Sequence, residues 1–405
     1  MAKAIFFGSP PVGHTYSTLP IIAELVRRGE SIIYYSFERF ADPIRATGAE
    51  YRAYKEFPEM PASTSVRMPE MLPILSGATE AILDNELPDA VAENPDYIIH
   101  DCLAIWGAEV ARLIGVPRMA TFPTFLANRS VEKFARGVMP RELLPGRSGL
   151  RITDVPMLWT VFQQRRRTTR KHGLEYKKVL ELMHADFNVV FTTRRLQPFA
   201  EEFDERFCFI GSPTVEREEQ TPFPFELLTG APLIYVSLGT LFNDRPEFFQ
   251  ACFEAFGDMD VQVLLCRGKQ NAALDALEAP ANFLVRDYVP QVSLLKRSAA
   301  FVTHGGISGA SEGLICGVPQ VFLPQIWDGY LMAHQITAAG GGVMLPQPPT
   351  ARDLREAVEK VLRDPSFREK SLELGRGLVE AGGARRAAEE MLRWTRQRLP
   401  ALTSA

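Results

Sequence analysis

The chain has 405 residues, enough for two or three domains, and its 46 % hydrophobic and 23 % charged residues are the proportions of a soluble globular protein. A net charge of −4 and a pI of about 6.0 give no sign of a nucleic-acid partner, which usually needs a basic stripe or domain. No apolar run reaches the length of a membrane span, so the expectation is a cytoplasmic protein without integral membrane contact.

Residues 3–9 form an apolar run, expected as a buried strand and too short for the core of a signal peptide. It leads into Gly8-Ser9-Pro10-Pro11-Val12-Gly13-His14, which departs from the G-x-G-x-x-G spacing of dinucleotide loops and argues against a nicotinamide enzyme. A helix is expected over 17–28, with Ser17 or Thr18 as N-cap and Gly29 just past its end. Further strands are expected at 31–36, 96–101, 117–121, 187–193 and 207–211. Strands alternating with helical patterns predict an α/β fold with a parallel, doubly wound sheet.

From Thr214 to Pro232 the composition changes to Glu216, Glu218, Glu219 and Glu226 with Pro222, Pro224 and Pro232, which suits an exposed linker. A second series of strands follows near 233–239, 261–266, 282–286, 299–303, 319–323 and 342–345, with an amphipathic helix over 351–363. The expected organisation is a domain over 1–215, a linker over 216–231, a second domain over 232–385, and a helix within 386–405 returning to the first domain. Two such units create a cleft between their strand C-termini, where open α/β sheets bind ligands. The five scattered cysteines include no C-x-x-C pair and read as small core residues rather than a disulfide or metal framework.

His14 sits where the first strand hands over to its helix. A histidine there either takes a proton from a bound hydroxyl or satisfies local backbone, and position alone does not separate the two. Asp101 ends the strand 96–101 and either orients that imidazole or caps a helix starting near Leu103. The strongest signal is the run from Ala299 to Glu312, a strand, the turn His304-Gly305-Gly306, and a helix start. Exposed N–H groups and the positive helix end favour a diphosphate there, and His304 adds a donor. The basic run Arg165–Lys171 reads as a solvated helix face, with contact to an acidic acceptor or a membrane surface as the alternative. Trp106, Phe122, Phe125 and Trp159 read as core rather than pocket lining.

These residues carry a resemblance. Tyr288-Val289-Pro290-Gln291, Thr303-His304-Gly305-Gly306, Glu312, and Gly317-Val318-Pro319 leading to Pro324-Gln325 and Asp328 resemble the family 1 glycosyltransferases of GT-B fold, in particular the bacterial macrolide glycosyltransferase branch. Val12-Gly13-His14 and Ile99-His100-Asp101 match as well. The resemblance implies two Rossmann-like domains facing a central cleft. It implies His14 as catalytic base and Asp101 as its orienting partner. Tyr288 would stack on the nucleotide base, and Val289 and Gln291 would hold base and ribose. Thr240 would lie beside the phosphates. His304 and the segment Gly306, Ser308 and Gly309 would bind the diphosphate, Glu312 the ribose, and Asp328 the transferred sugar.

The implied reaction is inverting transfer of a hexose or deoxyhexose from a UDP- or TDP-sugar to a hydroxyl of a macrolide, polyketide or polyphenol-like acceptor. The nucleotide sugar is a co-substrate, and neither cofactor nor metal is expected. The partners are small molecules, and the protein is a monomer or homodimer. Ser308-Gly309-Ala310 and Asp328-Gly329 depart from the family pattern, which commonly has hydroxyl side chains and an acid–glutamine pair there. A sugar-nucleotide-binding auxiliary protein with little turnover, or a lipid-linked transferase on the same scaffold, is the alternative.

Overall fold

The computed structural model describes residues 2–59, 68–140, 143–144, 151–214, 221–239, 243, 245–268 and 278–402. The chain divides into two compact units, one of residues 1–194, 199–214 and 381–405, the other of 195–198 and 215–380. No described helix is long and apolar enough to cross a membrane.

The first unit holds a seven-stranded sheet of β1 (Lys3–Phe7), β2 (Ser31–Ser36), β3 (Glu50–Ala53), β4 (Tyr97–Asp101), β5 (Arg118–Phe122), β6 (Phe187–Val190) and β7 (Phe207–Phe209). The spatial order is β3-β2-β1-β4-β5-β6-β7, with every pair parallel. β1 is apolar on both faces because both are covered. Ala4 and Phe6 pack with Ile21, Ile22 and Leu25 of one helix and with Ala387, Ala388 and Met391 of the C-terminal helix. Ile5 and Phe7 pack with Leu75, Ile82, Trp106 and Val110 on the other face. The C-terminal helix Gly383–Leu402 is thus part of the first unit's core. β3 escapes the sequence pattern because Glu-Tyr-Arg-Ala is a polar edge strand, whose charges blunt further pairing.

The first helix runs over Val12–Arg27 and starts earlier than the expected 17. Pro11, at φ −63°, is its N-cap and needs no N–H of its own. Ser17 and Thr18 are inside the helix and donate back to the carbonyls of Gly13 and Thr15, both at 2.7 Å, so neither is a cap. Gly29, at φ +98°, ends the helix as expected, with Gly29 N–H bonded to Val26 and Glu30 N–H to Leu25.

The second unit holds a six-stranded parallel sheet of β8 (Leu233–Ser237), β9 (Gln262–Cys266), β10 (Phe283–Arg286), β11 (Ser298–Thr303), β12 (Gln320–Phe322) and β13 (Gly342–Met344), in the order β10-β9-β8-β11-β12-β13. The described part of the expected linker is largely exposed, as its composition suggests, and is anchored at three points. Phe223, Phe225 and Leu228 lie partly buried against the Leu233, Tyr235 and Phe301 cluster, and Gln262 binds the Leu227 carbonyl and the Thr229 N–H. Residues 215–220 of that linker lie outside the described residues.

The helix Ser366–Glu380 packs on the helix Ile307–Ile315 through Gly375, where a Cβ would come within 2.1 Å of the Leu314 carbonyl. Helix propensity alone favours alanine over glycine by about 1 kcal/mol. Overpacking against a backbone atom costs about 1–3 kcal/mol and more in rigid surroundings. Gly375→Ala is therefore expected to destabilise despite its better propensity. Thermal unfolding should show Tm lower by roughly 2–8 °C, and a raised Tm would show that the two helices yield to the extra methyl.

Candidate active site

In the first unit the loop after β1 is held from several directions. Gly8 N–H donates to Tyr35 O at 2.9 Å, and Tyr54 Oη donates to Gly8 O at 2.8 Å. Trp106 Nε1 in turn donates to Tyr54 Oη at 3.0 Å, and Arg39 donates to Pro10 O. The first helical turn that follows carries His14. Its Nδ1 lies 2.9 and 3.0 Å from the two carboxylate oxygens of Asp101, the last residue of β4. The same carboxylate accepts the Leu103 N–H at 2.9 Å, so Asp101 holds both the imidazole and the local turn. The helix it precedes starts at Ile105, two residues later than expected.

A carboxylate only accepts, so His14 Nδ1 carries the proton and Nε2 is the basic nitrogen. The Asp101 side chain is 2 % exposed and that of His14 15 %, which keeps the anion dry and leaves the imidazole within reach of a ligand. His100, the neighbour on the opposite side of β4, is fully buried and bonds the Asp101 carbonyl at 3.0 Å.

Among the described residues, His14, Asp101 and Cys102 form a cluster of potential metal ligands, with one atom from each within 4.8 Å of the others. Burial and the nearby Asp101 push the Cys102 thiol well above its usual range, which suits a core residue more than a thiolate ligand. Cys208, Cys252 and Cys266 are likewise buried, and no two of the five cysteines are joined in a disulfide among the described residues.

In the second unit the residues of interest follow β8, β10, β11 and β12. His304 comes directly after β11 and precedes the helix Ile307–Ile315. Its ring lies between two glycines. A Cβ at Gly239 would come within 2.5 Å of His304 Cε1, and one at Gly306 within 2.5 Å of Nε2. Gly239 and Gly305 also take φ +78° and +79°, a region closed to most side chains. Nδ1 is buried without a hydrogen-bond partner among the described residues, and burial lowers the ring's pKa to about 4. His304 is thus neutral near pH 7, with its Nε2 edge beside the helix start. The helix N-cap is Gly306, its first turn contains no acid, and the N–H groups of that turn have no intrahelical acceptor. Ser308 and Gly309 lie in that turn.

The loop from Asp287 to Gln291 is fixed at its start. Gly268 N–H and Cys266 Sγ donate to Asp287 O at 3.1 and 3.3 Å, and Arg267 Nε donates to the Asp287 carboxylate at 2.6 Å. Tyr288 projects outward at 48 % exposure, while Val289 packs on the core beneath. Gln291 begins a short helix and donates Nε2–H to the Glu312 carboxylate at 2.6 Å. Glu312 is itself 5 % exposed.

Asp328 lies in the first turn of the helix Trp327–Ala338. Gly329 beside it is set by packing, because a Cβ there would come within 2.6 Å of the His304 carbonyl. The structure therefore brings together Tyr288, Val289, Gln291, His304, Gly306, Ser308, Gly309, Glu312 and Asp328 on the loops and helix starts of one sheet. Thr240 lies outside the described residues.

Sequence reading missed Tyr54 and Arg39, which hold the loop after β1 from behind, because neither side chain has a local signature for such a contact. Trp159 differs from expectation, being 60 % exposed, whereas Trp106, Phe122 and Phe125 are core. The basic run is mixed rather than a solvated face. Arg165 is buried with its guanidinium on the Lys177 carbonyl, and Arg167 and Lys171 pair with Glu80 and Asp84.

Residues 250–381 match the family model of the erythromycin biosynthesis protein CIII-like C-terminal domain. The chain is 31 % identical to the uncharacterized UDP-glucosyltransferase YojK of Bacillus subtilis (strain 168), with 98 % of each chain covered. It is 28 % identical to the oleandomycin glycosyltransferase of Streptomyces antibioticus, over 96 % of this chain and 90 % of that one. The crystal structure of the glycotransferase of kitacinnamycin superposes with a TM-score of 0.80 at 28 % identity, covering 97 % of this chain and 98 % of that one.

Burial also lowers His100 and His184 to about 4, as it does His304, from an ordinary value of 6.5. All three are neutral in the folded protein where the unfolded chain already takes up protons. Their contribution to stability is complete above pH 6.5 and is lost as pH falls toward about 4. Urea unfolding at constant ionic strength should show stability declining steadily across that window. A flat profile there would mean the rings are solvated.

Proposed function

The chain belongs to the family 1 glycosyltransferases of GT-B fold, and from that premise we propose that its first unit activates an acceptor hydroxyl while its second unit holds a nucleotide diphosphate sugar. The observation that carries the reading is the His14–Asp101 pair at 2.9 Å, a dry carboxylate holding a reachable imidazole.

His14 Nε2 takes the proton of an acceptor hydroxyl, and the oxygen attacks the anomeric carbon opposite the leaving diphosphate. Asp101 keeps the ring in the required tautomer and stabilises the imidazolium that forms. The C1–O bond to the diphosphate breaks as the new glycosidic bond forms, so configuration inverts. Charge developing on the diphosphate meets Nε2–H of His304, the N–H groups of Gly306, Ser308 and Gly309, and the positive end of their helix. The scheme draws its charge stabilisation from these groups and calls on no metal or resident cofactor.

Tyr288 stacks on the nucleotide base, with Val289 forming the floor. Gln291 and Glu312 hold the ribose, and Asp328 accepts from hydroxyls of the sugar. Thr240 is placed beside the phosphates by family resemblance alone. The donor is a UDP- or TDP-linked hexose or deoxyhexose. The acceptor is a macrolide, polyketide or polyphenol-like molecule, in keeping with the names of the relatives.

His14→Ala should lower kcat by roughly 10²–10⁴-fold with donor affinity unchanged. Product mass and single-turnover kinetics with an ordinary alcohol acceptor check this, and near wild-type turnover would falsify the base assignment. Glu312→Ala should weaken UDP binding by about 1–3 kcal/mol in calorimetry, and unchanged affinity removes the ribose role. At Gly329 the packing leaves no room for the glutamine of the family pattern. A glutamine would push against the His304 carbonyl before its amide met a sugar. Gly329→Gln is therefore expected to weaken nucleotide binding about tenfold or more, rather than only shift the preference between glucose and deoxyhexose donors. Nucleotide affinity equal to wild type, with donor preference alone changed, would show that the loop accommodates the side chain.

A further inference from the structure

We propose that Tyr235 is a positioning residue for the nucleotide, acting through Gln291 on the carboxylate of Glu312. The inference rests on the reading above that Glu312 holds the ribose, and extends it to a residue that never touches substrate.

Tyr235 lies in β8, between β9 and β11, and is 1 % exposed. Its ring stacks on Phe301 of β11 with centroids 5.0 Å apart and planes 10° apart, so the phenol has one fixed direction. Its hydroxyl donates to Gln291 Oε1 at 3.1 Å, and Gln291 Nε2 donates to Glu312 Oε2 at 2.6 Å. Three elements distant in sequence are joined in one line: a central strand, the first turn after the Tyr288 loop, and the helix that starts at the diphosphate cradle.

The direction of the line matters. An amide side chain has a donor end and an acceptor end, and nothing in its shape distinguishes them. With the Tyr235 O–H aimed at it, the oxygen end of Gln291 is held toward the strand and the N–H end toward the carboxylate. Burial pushes the phenol well above its ordinary range, so it remains a donor at every working pH. Without the hydroxyl, the Gln291 oxygen loses that donor. The N–H end still faces the carboxylate, which only accepts, but the Gln291 side chain is no longer tied to the strand and its position drifts. The carboxylate would shift, and its grip on the ribose hydroxyls would loosen. The remaining nucleotide contacts, to base and diphosphate, do not pass through this line.

Tyr235→Phe removes the hydroxyl and keeps the stack on Phe301. Binding is read by calorimetry with two probes, UDP and a 2′,3′-dideoxyuridine diphosphate that lacks both ribose hydroxyls. The expected result is a loss of UDP affinity on the order of tenfold, with dideoxy affinity unchanged from wild type. In steady state the donor KM rises while kcat stays within about twofold, since the groups at the reacting carbon are untouched. In a Glu312→Ala background the same substitution should cost clearly less than in the wild type, because only the Gln291 contact to the ribose is left for it to disturb.

Wild-type UDP affinity in Tyr235→Phe, with Glu312→Ala still weakened, overturns the positioning role and leaves the ribose role standing. Equal losses for UDP and the dideoxy probe also overturn it, because they mark general loosening of the sheet. An additive effect in the double variant does the same. If Glu312→Ala itself binds UDP like wild type, the ribose reading fails, and the inference fails with it.

Discussion

The imidazole of His304 fills the space between Gly239 and Gly306, and the second unit's site is organised around that contact. A side chain at either glycine would strike the ring. The helix start after it is close-packed as well, since Gly329 sits under the His304 carbonyl with no room for a Cβ. Backbone N–H groups are effective anion ligands only when nothing covers them, and small residues on three neighbouring loops keep them bare. The departure Asp328-Gly329 from the family pattern thus has a packing reason in this chain, apart from whatever it does to the sugar.

The base proposed for the first unit faces a different problem, since it must be strong enough to accept a proton and open enough to meet its substrate. Asp101 is nearly buried and His14 partly exposed, so the charge that sets the imidazole's orientation is shielded while the ring itself is reachable. Pro11 at the helix start fixes where the first turn begins, and the Trp106–Tyr54–Gly8 chain fixes the loop before it. Precision of this kind comes from behind the site, in aromatic groups that touch no ligand.

Both units draw on the same property of parallel sheets. Every strand delivers its C-terminal loop to one edge, so residues far apart in sequence converge without long excursions. His14 after β1 meets Asp101 at the end of β4, and His304 after β11 meets Gly239 after β8. Each pair comes from adjacent strands in the sheet order.

Much of this was legible in the amino-acid sequence. Twelve of the thirteen strands among the described residues were expected close to their observed places, because buried parallel strands are apolar on both faces and bounded by turn residues. The family of the chain and the residues of its glycine turn could be read as motifs, since a turn with positive φ restricts which residues can stand there. The polar edge strand β3, the early start of the first helix and the apolar anchors of the linker were not legible. Each depends on what a neighbouring segment covers or leaves bare. His14 could be singled out from sequence but not assigned, because base and local cap share the same position. The fold adds what the local sequence lacks, placing a buried carboxylate 87 residues away within hydrogen-bond reach of the ring. The contacts on which the proposed role of Tyr235 rests likewise come from strand and helix ends that meet only in the fold. Local sequence determines which backbone shapes are allowed, while the partner of a polar group is chosen by packing across the fold.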